Sequence, residues 1–94
     1  MLKATWNGAV LAQSDAFKMV EGNVYFPREA LNWNCLRESS TRSDCPRKGI
    51  ARYLHIVVDG AVNTDAGWYY PEPKPAAHGI AGHVAFWRGV RMEK

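Results

Sequence analysis

The chain has 94 residues, a length that predicts a single domain over residues 1–94 with room for one modest core and a shallow cleft. Apolar residues make up 47% of it, which is typical of a globular protein and excludes a disordered one. Twelve Lys and Arg against nine Asp and Glu give a net charge of +3, which permits an anionic ligand without requiring one. No apolar run is long enough for a signal peptide or a membrane span, so we expect a cytoplasmic, bacterial-style protein.

The first third of the chain is predicted to form two β-hairpins. Asn7-Gly8 lies between two apolar-alternating pieces and suits the positive φ angles of a type I′ turn, which predicts a hairpin over 3–13. Glu21-Gly22 predicts a second short turn, within a hairpin over 17–26. The proline that follows cannot donate a ladder hydrogen bond, so residues 27–31 are expected to form one helical turn instead.

The middle of the chain predicts a loop and then a strand. Residues 39–49 are polar and without periodicity, which predicts a long loop, and long loops in small domains are often functional. Ile50 to Val58 is rich in β-branched residues and is the clearest strand. Alternation places Ala51, Tyr53, His55 and Val57 on one face of it, and Arg52, Leu54, Ile56 and Val58 on the other.

The last third continues the β pattern. Asp59-Gly60 predicts a tight turn that pairs residues 61–63 back onto the preceding strand. Further expected elements are a strand at 68–70, an extended proline-rich stretch at 71–75, a helical turn at 75–80, and closing strands at 83–87 and 90–92. Short strands at regular spacing predict an all-β barrel or sandwich.

Five ordered motifs give the whole chain a specific resemblance. They are Trp6-Asn7-Gly8, Glu21-Gly22-Asn23-x-Tyr25-Phe26-Pro27, Cys45-Pro46-x-Lys48-Gly49-x-Ala51-x-Tyr53, Asp65-Ala66-x-Trp68-Tyr69-Tyr70-Pro71-x-Pro73-Lys74, and Ile80-Ala81-Gly82-x-Val84-Ala85-Phe86-Trp87. In this order and spacing the chain resembles the small bacterial family known as domain of unknown function 427. The resemblance implies a mainly β, tent-like or Mss4-like fold of two antiparallel sheets with one or two short helical turns.

The same resemblance bears on function in two ways. The family carries a nucleotidyltransferase-like label and no assigned reaction. Its members often have an aromatic residue between Cys-Pro and Lys-Gly, where this chain has Arg47. If that aromatic residue stacks on a ligand in relatives, a cation takes its place here.

The predicted site is an anion-binding loop over Arg42–Gly49. Arg47 and Lys48, together with backbone N–H groups near Gly49, are candidates to bind a phosphate or carboxylate. The pattern is not a P-loop, because the lysine precedes its glycine. We expect the loop to lie over a cleft lined by Tyr53, His55, Trp68 and Tyr70, and the expected ligand is a small anionic metabolite such as a nucleotide.

Cys45 gives an alternative function, that of a thiol-dependent enzyme. Nearby cations favour the thiolate, which would attack while Tyr53 or His55 moves a proton. A half-buried structural thiol and a disulfide with Cys35 both stay open at this point. The chain has no C-x-x-C pair, so no zinc site is predicted. No other cofactor is expected.

A third function is that of an interaction module without a small-molecule site. The basic residues between 37 and 52 lie near aromatic ones, as in single-strand binding surfaces, but the net charge is small and no recognised motif occurs. Nucleic acid is therefore a disfavoured but open partner. No membrane partner is expected, and the oligomeric state is left as monomer or homodimer.

Overall fold

The computed structural model describes residues 1–94 and contains nine β-strands and three short 3-10 turns. The strands are β1 (Leu2–Trp6), β2 (Ala9–Ser14), β3 (Lys18–Val20), β4 (Asn23–Tyr25), β5 (Leu36–Cys45), β6 (Gly49–Val58), β7 (Ala61–Tyr69), β8 (Val84–Phe86) and β9 (Arg91–Glu93). The 3-10 turns are Arg28–Ala30, Trp33–Cys35 and Pro75–Ile80, and none is long and apolar enough to cross a membrane. The predicted mainly β class and both early hairpins are confirmed.

The strands form three antiparallel sheets, in the orders β2-β1-β9, β3-β4 and β5-β6-β7-β8. This is one sheet more than the two expected. However, Phe26 and Val84 exchange two backbone hydrogen bonds, at 2.8 and 2.9 Å, and so attach the β3–β4 hairpin to β8. The hairpin therefore extends the four-stranded sheet, which we call the large sheet. The two closing strands belong to different sheets, since β8 pairs with β7 and β9 pairs with β1.

Strand β5 occupies most of the segment predicted as a polar loop over 39–49, so that prediction is wrong. It pairs with β6 from Leu36 opposite Ile56 to Cys45 opposite Gly49. Because β5 is the edge strand of the large sheet, one side of its backbone faces water and its sequence needs no apolar alternation. The expected Arg42–Gly49 loop is thus the end of a strand followed by a tight turn at 46–48.

Two apolar clusters lie on opposite faces of the large sheet. The larger one joins Leu54 and Ile56 of β6 to Ala4 and Leu11 of the β2-β1-β9 sheet, so the two sheets pack against each other. The smaller one contains six buried residues: Tyr25, Ala51, Tyr70, Ala77, Ile80 and Ala85. The alternation predicted for Ile50–Val58 is confirmed, because its two sets of side chains divide between these clusters.

The segment of residues 71–80, which we call the strap, lies against the turn at 46–48. The Lys74 amide donates to the Lys48 carbonyl at 2.8 Å, and the Lys74 ammonium donates to the Pro46 carbonyl at 2.7 Å. The 3-10 turn at its end places Ala77 and Ile80 in the smaller cluster. The strap therefore fixes the turn against the face of the sheet that carries this cluster.

Candidate functional site

A cleft of about 310 Å³ opens beside the smaller apolar cluster, and we call it the aromatic cleft. It is lined by seven residues: Asn23, Tyr25, Lys48, Tyr53, Trp68, Tyr70 and Trp87. Small-molecule sites have this composition, with apolar and aromatic walls and a few polar groups that fix orientation. The cleft is therefore the candidate site of this protein.

Antiparallel pairing brings the cleft residues together from distant parts of the chain. Tyr53 and Trp68 are direct partners on β6 and β7, and Trp68 is paired with Ala85 of β8. The bridge from Phe26 to β8 then places Tyr25 next to this row. Tyr70 lies two residues beyond Trp68, so it points to the same face of the sheet.

Trp68 is held in place by ring contacts on two sides. It meets the Tyr25 ring edge-on at 6.2 Å and the Trp87 ring edge-on at 5.7 Å. Its indole N–H donates to the Tyr25 hydroxyl at 3.2 Å. Edge-to-face pairs are favourable, and a ring fixed in this way presents an ordered wall to a ligand.

The cation at the cleft is Lys48, and it is not free. Its side chain is only 13% exposed, and its ammonium forms an ion pair with one carboxylate oxygen of Glu21. The other oxygen of Glu21 accepts from Arg47 at 2.9 Å. Glu21 reaches both cations because it lies in the β3–β4 turn, where its φ is +52°. An anion in the cleft would therefore compete with Glu21 for Lys48.

The buried phenols of the cleft remain protonated over a wide pH range. Burial, with smaller contributions from the ionised forms of Tyr25 and Cys45, raises the pKa of Tyr70 to about 12. Burial also raises the pKa of Tyr25, although the hydrogen bond from Trp68 opposes this effect. At neutral pH both hydroxyls can donate hydrogen bonds to a ligand, and neither can act as a base.

Cys45 packs behind the cleft, against the smaller apolar cluster and beside Tyr70. It is partly buried and is not among the residues that line the cleft. Cys35 packs against the larger cluster instead, and both thiols are free, so no disulfide joins them. The disulfide alternative for Cys45 is therefore excluded, and a packed thiol and a reactive thiol are the two alternatives left.

His55 lies outside the cleft and belongs to a polar cluster around Asp65. The Asp65 carboxylate accepts from Ser39 at 2.6 Å and from Thr41 at 2.7 Å. The Asp65 amide donates to His55 Nδ1 at 3.1 Å. The hydrogen bond from Ser39 is the main cause that lowers the pKa of Asp65, with smaller contributions from Thr41, His55 and Arg88. These contacts join β5, β6 and β7 where two of the strands are irregular.

Of the predicted site residues, the structure brings four together in the aromatic cleft: Lys48, Tyr53, Trp68 and Tyr70. It places the others elsewhere. Arg47 is 80% exposed and points to Glu21, while Gly49 lies at the back of the turn against the strap. Cys45 and His55 lie behind and beside the cleft. No three His, Cys, Asp or Glu side chains come close enough together to hold a metal ion.

Sequence reasoning missed three residues of the cleft, Asn23, Tyr25 and Trp87. Tyr25 and Asn23 lie in a hairpin that looks local in the sequence, and only the bridge from Phe26 to Val84 brings it to the cleft. A signal existed for all three, since each lies in one of the five ordered motifs. Motif membership alone does not tell a cleft residue from a core residue.

Comparison with known proteins identifies the family of the chain. No curated protein shows significant similarity to it. A family profile described as domain of unknown function (DUF427) matches residues 1–94, which is the full length of the sequence. The chain therefore belongs to the family of domain of unknown function 427.

Proposed function

We propose that the aromatic cleft binds a small ligand that carries a planar ring and an anionic group, such as a nucleotide. The observation that carries the proposal is the convergence of Lys48 with aromatic side chains in a single cleft of about 310 Å³. Rings of Trp68 and Tyr53 offer stacking or edge contacts to a planar ligand. Lys48 offers a charge-assisted hydrogen bond to the anion.

Glu21 is proposed to regulate this site, because it already holds the Lys48 ammonium. Glu21 shares its carboxylate with Arg47, which is far more exposed. When an anion binds Lys48, Glu21 can keep Arg47 as its partner, so the carboxylate is not left unpaired. This arrangement lets a ligand displace Glu21 at small cost.

Titration with adenosine monophosphate, followed by calorimetry and by the indole N–H resonance of Trp68, tests the proposal. Lys48→Gln is expected to weaken binding by about tenfold or more, since a hydrogen bond to a charged group contributes about 1.5–3 kcal/mol. Arg47→Gln removes the same charge from the same ion-pair network but lies outside the cleft, so its effect reaches the ligand only through Glu21 and it should weaken binding clearly less than Lys48→Gln. Glu21→Gln frees Lys48 and should strengthen binding.

Adenosine provides the ligand control, because it has the same ring system without the phosphate. It should bind more weakly than the nucleotide and respond equally to Lys48→Gln and Arg47→Gln. If neither compound shifts the Trp68 resonance at millimolar concentration, the proposal is wrong. It is also wrong if the two charge variants weaken nucleotide binding to the same extent.

A thiol-dependent reaction at Cys45 is a weaker proposal for this structure. The thiol packs behind the cleft, and the two cations that follow it in sequence are paired with Glu21. The Tyr53 hydroxyl is bonded to Ser43 at 2.8 Å, and His55 is engaged by the Asp65 amide. Tyr70 lies beside the thiol but stays protonated to high pH, so it is not a base. Ligand binding is therefore the function we favour over catalysis.

The proposal also covers the cellular location, the type of partner and the oligomeric state of the protein. Two free cysteines suit a reducing compartment, which supports a location in the bacterial cytoplasm. A closed interaction module would need no cleft, so the presence of an aromatic cleft favours a small ligand over a macromolecular partner. A monomer suffices for this function, because all the residues of the cleft come from one chain.

A further inference from the structure

A second concave region, independent of the aromatic cleft, lies on the other side of the Cys45–Gly49 turn. It has a volume of about 540 Å³, and we call it the arginine groove. Three cations line it, Arg42, Arg52 and Lys74, against one carboxylate, Glu72. The groove shares none of its lining residues with the aromatic cleft.

The two arginines of the groove are direct cross-strand partners, Arg42 on β5 and Arg52 on β6. Like charges at directly opposite positions destabilise a sheet, because their side chains start only about 5 Å apart. The chain thus places two arginines directly opposite each other, at a cost in folding free energy. Such an arrangement becomes favourable when an anion lies between them.

No carboxylate in the protein supplies that anion. The ion pairs of the structure join other residues, and none includes Arg42, Arg52 or Lys74. Arg42 is oriented by its own backbone, since its Nη1 donates to the carbonyls of Ser39 at 3.0 Å and Thr41 at 2.9 Å. The remaining N–H groups of this guanidinium are left available. Arg52 lines the groove with it. Burial raises the pKa of the Tyr69 phenol, and the Arg52 guanidinium lies close enough to that phenol to oppose this larger effect by lowering its pKa.

One wall of the groove is apolar. Ile50 lies on β6 two residues before Arg52, so both point to the same face, and Ile50 is 59% exposed. Pro71 of the strap faces the same space. A ligand that fits must therefore offer an apolar body as well as a negative group. The volume is several times that of a single inorganic anion.

We propose that the arginine groove is a binding site for a phosphate monoester with an apolar body. The phosphate lies between Arg42 and Arg52, whose planar guanidinium groups can each donate two parallel hydrogen bonds to its oxygens. Lys74 adds a third positive charge, and Ile50 contacts the apolar body. The site is separate from the proposed nucleotide site, so either can exist without the other.

Phenyl phosphate and inorganic phosphate are the probes, titrated at low ionic strength and followed by calorimetry and by the Ile50 methyl resonances. Phenyl phosphate should bind more tightly than inorganic phosphate and shift the Ile50 methyl groups. Because its ring and anion also suit the aromatic cleft, the Ile50 shift is measured in Lys48→Gln as well, where it should persist. Arg42→Gln and Arg52→Gln should each weaken both ligands by about tenfold or more. Ile50→Thr should weaken phenyl phosphate alone.

Arg37→Gln is the matched control. Arg37 lies on the same strand, and its Nη1 also donates to the backbone carbonyls one and three residues before it. It does not line the groove, so the substitution should leave binding unchanged. In the absence of ligand, Arg42→Gln should be less destabilising than Arg37→Gln, because it also removes the repulsion with Arg52.

Three results would overturn the proposal. The first is the absence of any shift at Ile50 with millimolar phenyl phosphate. The second is equal weakening by Arg37→Gln and Arg42→Gln, which would show only a general attraction to positive charge. The third is a loss of phenyl phosphate binding in Lys48→Gln with no loss in Arg52→Gln, which would assign the anion to the aromatic cleft instead.

Discussion

Gly49 shows how one residue shapes both sites. Its φ is +112°, a conformation that side chains rarely adopt, and a Cβ there would lie 3.4 Å from the Glu72 carbonyl oxygen. This position lets the strap approach the turn closely enough for the Lys74 amide to bond the Lys48 carbonyl. Gly49, which lines the arginine groove, therefore lets the strap approach the turn that carries Lys48 without contributing a side chain to either site.

Gly49→Ala is expected to reduce the free energy of unfolding by about 2 kcal/mol, because alanine does not suit a φ of +112° and the added Cβ would lie against the backbone of the strap. Gly60→Ala is the control for positive φ alone, since Gly60 has a φ of +80° and no atom near its missing Cβ. It should cost about 1 kcal/mol. Urea denaturation gives both values. Equal losses in the two variants would contradict the role assigned to the strap contact.

At the scale of the strands, the Asp65 cluster holds together the irregular part of the large sheet. Four residues of β7 span the length of two residues of β6, and Asp65 lies there with a φ of +53°. Its carboxylate bonds Ser39 and Thr41, which lie in a similar irregularity of β5. The side chain thus replaces ladder hydrogen bonds that the two irregular strands cannot make.

Asp65→Ala is expected to destabilise the protein by about 2 kcal/mol, since the buried Ser39 hydroxyl loses its acceptor. Asp59→Ala is the matched control, because Asp59 has a similar φ of +49° in an exposed turn and its carboxylate makes no hydrogen bond.

The folded-state pKa of Asp65 lies below its ordinary value of 3.8. Its contribution is therefore present above that pH and is lost as the pH falls through the folded pKa. Thermal denaturation at pH 7 and pH 3 tests this. Asp65→Ala should lower the melting temperature more at pH 7 than at pH 3, and an equal decrease at both pH values would contradict the assignment.

These same elements explain what could be predicted from the sequence. The hairpins and the strand at 50–58 follow from turn residues and alternation, which are local signals. Strand β5 was missed because an edge strand with irregular pairing carries polar residues on both faces. Lys48, Tyr53, Trp68 and Tyr70 could be grouped since they lie in or next to the paired strands β6 and β7. Asn23 and Tyr25 could not, because their place depends on a single long-range bridge.

For the molecule as a whole, tyrosines set the upper limit of pH stability. Burial raises the pKa of Tyr25, Tyr69 and Tyr70, and in Tyr69 the hydrogen bond to Glu38 raises it further. These phenols lie on both faces of the large sheet, since Tyr69 belongs to the larger cluster and the other two to the smaller. Ionising any of them would place a negative charge in an apolar cluster. The whole core is therefore sensitive to alkali.

The direction of this effect follows from linkage. The folded protein holds the Tyr70 proton up to a pKa of about 12, whereas an unfolded tyrosine loses it near 10.0. Between these values the folded state binds more protons, so the free energy of unfolding falls as the pH rises. The stabilisation is fully present below pH 10 and lost by about pH 12, a decrease on the order of 2 kcal/mol for this residue. Tyr70→Phe removes this titration and should flatten the fall. Urea denaturation at pH 9, 10 and 11 measures the slope, and identical slopes for Tyr70→Phe and the native protein would refute this account of the core.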